Sequence, residues 1–115
     1  MSNESQGPLE SKGEDMPLIN ISYTADGDFD YDKPSCSTRR GQTIEWFCQG
    51  EGYYAIHFGW ESPFEYITYQ APLGKRISLR IPDDARRARY KYTVVVVDTD
   101  RRQIFVDDPE FIIKG

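Results

Sequence analysis

The densest run of side chains able to do chemistry is Asp26-Gly27-Asp28-Phe29-Asp30-Tyr31-Asp32. Carboxylates at alternate positions share one face of an extended strand, with Phe29 and Tyr31 on the other. Clustered carboxylates are the oxygen donors that Ca²⁺ takes. As an EF-hand loop the run fails, because counting from Asp26 puts Tyr31 where glycine is required and Ser37 where glutamate is required. We expect a solvated edge strand whose like charges discourage sheet-to-sheet pairing, with calcium binding as the competing use.

His57 is the single histidine of the 115 residues. No spacing supplies it with the partners of a zinc site or a Ser–His–Asp triad, so it is expected as an exposed or hydrogen-bonded strand residue. Cys36 and Cys48 are too few for a disulfide framework and are expected as buried thiols. Bonding them to each other needs Cα atoms within about 7 Å, an alternative their spacing leaves open.

Two further groups suit recognition better than catalysis. From Lys75 to Lys91 seven bases face two acids, Asp83 and Asp84. Arg86, Arg87 and Arg89 in that stretch could receive an acidic protein, a phosphate group or the acidic tail of the same chain. No aromatic residue lies between Arg76 and Arg89 to stack on bases, and the chain carries a net charge of −5, so nucleic acid is not an expected partner. The loop Phe58 to Tyr66, with Tyr69, concentrates Trp60, Phe64, Tyr66 and Tyr69 beside two carboxylates. Rings on a loop either fold back over an open end of the core or form a ligand surface. Capping is the favoured reading, since a small domain of 38% apolar content needs those rings inside.

The elements that must position these groups repeat with a period of two. Ile19, Ile21 and Tyr23 alternate with polar residues, as do Ile44, Trp46 and Cys48; Tyr54, Ile56 and Phe58; and Ile77, Leu79 and Ile81. Tyr90, Tyr92, Val94 and Val96 form a longer run that becomes apolar on both faces at Val95 and Val97, and Ile104 to Val106 and Phe111 to Ile113 follow. Such runs predict half-buried strands, and turn residues between them predict an antiparallel Greek-key β-sandwich. Only Pro82 to Arg89 suggests a helical turn. Because a two-layer sandwich covers one face of each strand, Val95, Val97 and Phe105 are expected to leave an apolar patch for a protein partner or a second copy.

Residues 1–17 hold four acids against Lys12 and almost no large apolar side chains, which predicts a disordered acidic tail ahead of one β-sandwich domain, 18–115. The first residues contain no signal-peptide core and the chain no long apolar run, so a cytoplasmic protein that does not enter membranes is expected.

Arg40-Gly41-Gln42-Thr43-Ile44-Glu45-Trp46, then Ile56-His57-Phe58, Ser62-Pro63-Phe64 and Tyr90-Lys91-Tyr92-Thr93-Val94, resemble the cupredoxin-like sandwiches. The ending Asp108-Pro109-Glu110-Phe111-Ile112-Ile113 is similar to small uncharacterised bacterial proteins of that architecture. The resemblance implies a cupredoxin-like or immunoglobulin-like fold over roughly residues 38–115. It does not bring the blue-copper ligands, which are two imidazoles, a thiolate and a weak axial Met. His57 stands alone, no Cys, His or Met follows Tyr92, and Met1 and Met16 lie in the tail. A weaker resemblance, carried by Tyr90 to Asp98 and Asp107-Asp108-Pro109, runs to glycogen- and starch-binding modules, which present exposed Trp residues to sugars. The expectation is therefore a non-enzymatic, cofactor-free module for protein–protein interaction, with carbohydrate binding through Trp60 and neighbouring Tyr residues as the alternative.

Overall fold

A computed structural model describes residues 16–115. The predicted tail lies outside the described residues apart from Met16 and Pro17, which lead into the first strand. Eleven strands follow in order: β1 (Leu18–Tyr23), β2 (Phe29–Tyr31), β3 (Ser35–Arg39), β4 (Thr43–Cys48), β5 (Gly52–His57), β6 (Thr68–Pro72), β7 (Ile77–Arg80), β8 (Ala88–Lys91), β9 (Thr93–Asp98), β10 (Gln103–Asp107) and β11 (Glu110–Lys114). They form three sheets, β2-β1-β4-β7, β10-β9-β5-β6 and β3-β11-β8, packed as an all-β sandwich.

Alternation decides which side chains meet. Ile19 and Ile21 of β1, Ile44, Trp46 and Cys48 of β4, Tyr54 and Ile56 of β5, and Val94 and Val96 of β9 are all buried. Trp46 is the hub. Its ring lies 5.6 Å from Tyr92, 6.0 Å from Phe58 and 6.2 Å from Phe111, all edge-on, and its indole N–H donates to the Tyr92 hydroxyl at 3.1 Å. Edge-to-face rings at such spacing gain quadrupole attraction beyond the area they bury.

Two pairings depart from an antiparallel scheme. β1 runs parallel to β4 and β11 runs parallel to β3, joining strands remote in sequence, where no turn fixes the register. The Tyr90–Val96 run, read as one strand, is two. β8 pairs with β11 and β9 with β5, and between them the Tyr92 N–H donates to the Pro109 carbonyl at 3.0 Å. The helical turn predicted at Pro82–Arg89 is absent. Pro82 to Ala85 makes a tight turn closed by Ala85 N–H to Pro82 O, and Ala88 already belongs to β8. Among the described residues a short 3-10 turn lies at Gly59–Glu61 instead.

Gly52 opens β5 at φ +127°, and a Cβ there would sit 1.9 Å from the Val97 carbonyl oxygen. Only glycine lets β5 approach β9 this closely.

Candidate interaction surface

β9 and its neighbours build the most distinctive surface. Along β10, β9 and β5, Ile104, Val97 and Tyr53 stand directly opposite one another, and Val106, Val95 and Ala55 form the next row. These positions alternate with the buried Val94, Val96 and Tyr54, so they point away from the core. Tyr53 is 57% exposed, Ile104 65%, Val106 58% and Val97 36%. Val95 is half-buried as part of the same ladder. The patch forecast from Val95 and Val97 therefore exists, but with one member corrected. Phe105 is buried because it pairs with inward-facing Val96 and packs on the Tyr23 ring at 5.2 Å. Ile104 and Val106 take the outward positions. The register of the β9–β10 hairpin, Asp98 opposite Gln103, is the signal that places them.

A charged cluster closes the hairpin end. The buried Asp98 carboxylate accepts the Tyr23 hydroxyl at 2.8 Å, the Arg101 guanidinium at 2.7 Å and the Arg101 backbone N–H at 2.9 Å. The Arg101 backbone N–H, then its guanidinium and the Tyr23 hydroxyl, hold this carboxyl below the usual carboxylate range. Burial first, and the hydrogen bond to Asp98 second, push Tyr23 up to about 12.

The aromatic loop divides in two. Phe58 and Phe64 are buried, with ring centroids 5.0 Å apart, and Phe64 stacks on Phe111 at 6.1 Å. Tyr69 is half-buried against both, and its hydroxyl accepts the Tyr66 N–H at 2.8 Å. These rings cap the core, as expected. Trp60, 95% exposed, and Tyr66, 62% exposed, project outward.

The three arginines do not form a free cationic patch. Arg86 reaches Glu61 at 3.2 Å, so the basic stretch meets the aromatic loop there. Arg89 pairs with Glu110, and Arg87 lies exposed beside Gly115. Elsewhere in the stretch, Arg76 pairs with buried Glu45 at 2.7 Å and Arg80 with Asp83 at 3.0 Å.

The acidic run is likewise partitioned. Asp32 accepts the Asn20 backbone N–H at 2.8 Å and its amide at 2.9 Å, while the Thr24 hydroxyl accepts the N–H groups of Asp26 and Asp28. β2 is an edge strand, the position expected for it. No group of three or more His, Cys, Asp or Glu side chains among the described residues is placed to hold a metal ion.

The chain has the cupredoxin-like fold. It is similar to the purple cupredoxin from Nitrosopumilus maritimus (TM-score 0.55, 13% identity, 85% of this chain and 99% of that one). It is also similar to a point mutant of amicyanin in the Cu(I) form (TM-score 0.52, 12% identity, 89% of this chain and 85% of that one). A third likeness is to a chain in a heme-copper terminal oxidase dimer (TM-score 0.52, 13% identity, 98% of this chain and 74% of that one). No protein-family model matches the sequence, and no curated protein does.

The donors present do not fit a blue-copper centre, which requires two imidazoles and a thiolate. His57 lies exposed at the end of β5, its Nδ1 2.7 Å from the Thr68 hydroxyl. Cys36 and Cys48 are separate free thiols, both buried. Burial pushes Cys36 up to about 11, and burial with the nearby Asp98 charge pushes Cys48 up to about 12. A metal-ligating sulfur must be a thiolate, the form these sites disfavour. Among the described residues, no helix is long and apolar enough to cross a membrane.

Proposed function

We propose that this chain is a non-enzymatic, copper-free binding module that holds a protein partner on the outward face of the β10-β9-β5-β6 sheet. One observation carries the reading: the exposed ladder of Tyr53, Val97, Ile104 and Val106. Contiguous apolar surface of this kind is costly on a monomer and marks contact sites, and an exposed Tyr adds a rigid amphipathic anchor. The redox role of the fold's copper-bearing members is set aside because the donor set does not fit. Photo-cross-linking tests the proposal, with the reactive group placed at Tyr53 or Val106 and, as control, at Ser37 on β3. Protein adducts from the two face positions and none from the control support it; equal labelling, or adducts from Ser37 alone, overturns it.

Carbohydrate binding is the second reading, favoured by Trp60 and Tyr66 standing outward on one loop. Of the two tryptophans Trp46 is fully buried, so a change in emission on adding maltooligosaccharide reports on Trp60. Unchanged emission up to millimolar sugar removes this reading.

A further inference from the structure

We infer that the free edge of β10 recognises a second copy of this chain, joining two β10-β9-β5-β6 sheets across a two-fold axis. The inference goes beyond the protein-binding reading, because the seam uses the edge of the sheet and leaves Tyr53 and Val97 of its outward face open. β10 ends its sheet, and among the described residues it pairs with β9 alone. Its other edge therefore presents main-chain N–H and C=O groups to solvent, the template onto which another strand adds.

Charge decides which strand fits. Arg101 and Arg102 precede β10, and Asp107 and Asp108 end and follow it. An edge with one sign at both ends would repel its own copy; opposite signs attract it when the copies run antiparallel. Side chains directly opposite across antiparallel strands share a face, which restricts the register. Centring the pair on Phe105 sets Arg102 opposite Asp108 of the partner subunit and Ile104 opposite Val106 of the partner subunit. The two-fold axis repeats both matches. Sliding the centre to Ile104 sets Arg102 against an apolar residue, and sliding it to Val106 sets Ile104 against a carboxylate. The Phe105 register alone matches charge with charge at the ends of the strand and apolar with apolar on its outward face.

The groups it uses are available. Ile104 and Val106 are exposed. Arg101 is committed to Asp98, whereas Arg102 is exposed and makes no ion pair among the described residues. The exposed Asp108 carboxylate meets the Thr93 hydroxyl at 3.3 Å and forms no ion pair among the described residues, while Lys91 Nζ donates to the Asp108 backbone carbonyl at 3.0 Å. A seam of one short strand buries far less than the ~1,200 Å² of a standard complex, so association is weak and concentration-dependent.

Sedimentation of the full chain in low salt tests this, using wild type, Arg102→Asp and Asp108→Arg. Asp tolerates the left-handed backbone at residue 102, φ 57°, so the fold is retained there; circular dichroism checks both variants. Wild type should move toward twice the monomer mass as concentration rises. Each single reversal should weaken association on the order of tenfold, since both symmetric contacts turn repulsive. An equimolar mixture of the two variants should restore it, because each supplies the charge that the other lacks. A wild-type chain that stays monomeric, association that single reversals leave unmoved, or a loss that mixing does not restore overturns the proposal. A monomer whose cross-linker at Tyr53 or Val106 still captures a different protein overturns the second copy and leaves the binding module standing. A monomer without face adducts sinks both.

Discussion

Strands β4 and β9 both carry apolar residues on both faces, both lie inside their sheets, and their second faces meet opposite fates. On β4, Glu45 and Phe47 alternate with Ile44, Trp46 and Cys48, and all five are buried. On β9, Val94 and Val96 are buried while Val95 and Val97 face outward, and Val97 is 36% exposed. The difference is in cover. The Glu45 carboxylate is neutralised by Arg76 at 2.7 Å and accepts the Ser78 hydroxyl at 2.6 Å, which makes its burial tolerable. Val95 and Val97 are flanked across the sheet by Val106 and Ala55 and by Ile104 and Tyr53, which share the outward face instead of covering it. A doubly apolar strand thus becomes a second core surface or an interaction surface according to what its neighbours supply.

Substitutions on the two strands should have unequal costs. Phe47→Ala should cost about 3 kcal/mol in chemical denaturation through lost burial and a residual cavity. A cost as small as that of Val97→Ala would mean the second face of β4 is not a core surface. Glu45→Ala should cost about 1–2 kcal/mol, less than for a fully buried pair, because the Arg76 left behind is 33% exposed. If Glu45→Gln restores nothing of that loss, the Ser78 hydrogen bond contributes little and the ion pair dominates.

Asp98 sharpens the contrast through pH. Its folded pKa is lowered, so its contribution is complete above the ordinary carboxylate value of ~3.9 and is lost as pH falls through the lower folded value. The gap in thermal midpoint between wild type and Asp98→Asn should therefore be full at neutral pH and close on acidification below about pH 4. A gap that persists in strong acid would assign the effect to packing. The smallest stability effect belongs to the outward face. Val97→Lys should change stability by within about 0.5 kcal/mol while abolishing the Tyr53 cross-link. A large loss of stability would show that Val97 is a core residue.

The strands whose inward residues are large and apolar were legible from alternation alone: β1, β4, β5, β7, β9, β10 and β11. β3 was not, because its inward positions are Cys36 and Thr38, which local pattern does not separate from a polar loop. β6, with Tyr69 and Ala71 half-buried, is similarly quiet. The break at Tyr92 escaped because the alternation continues unbroken while the strand changes sheets. For the interaction surface, Val95 and Val97 were readable from a run apolar on both faces. Tyr53, Ile104 and Val106 needed the hairpin register and the β5–β9 pairing, which are long-range facts. Exposure of Trp60 beside burial of Phe64, a few residues apart on one loop, is decided by which ring can reach Phe111.

The place of β11 has a consequence for how the protein is made. It lies between β3 and β8, and its Phe111, fully buried, contacts the rings of Trp46, Phe58, Phe64, Tyr90 and Tyr92. A nascent polypeptide has synthesised ten strands before this keystone emerges from the ribosome. Until then its aromatic cluster stays open to water, so the sandwich closes only after all eleven strands have been made.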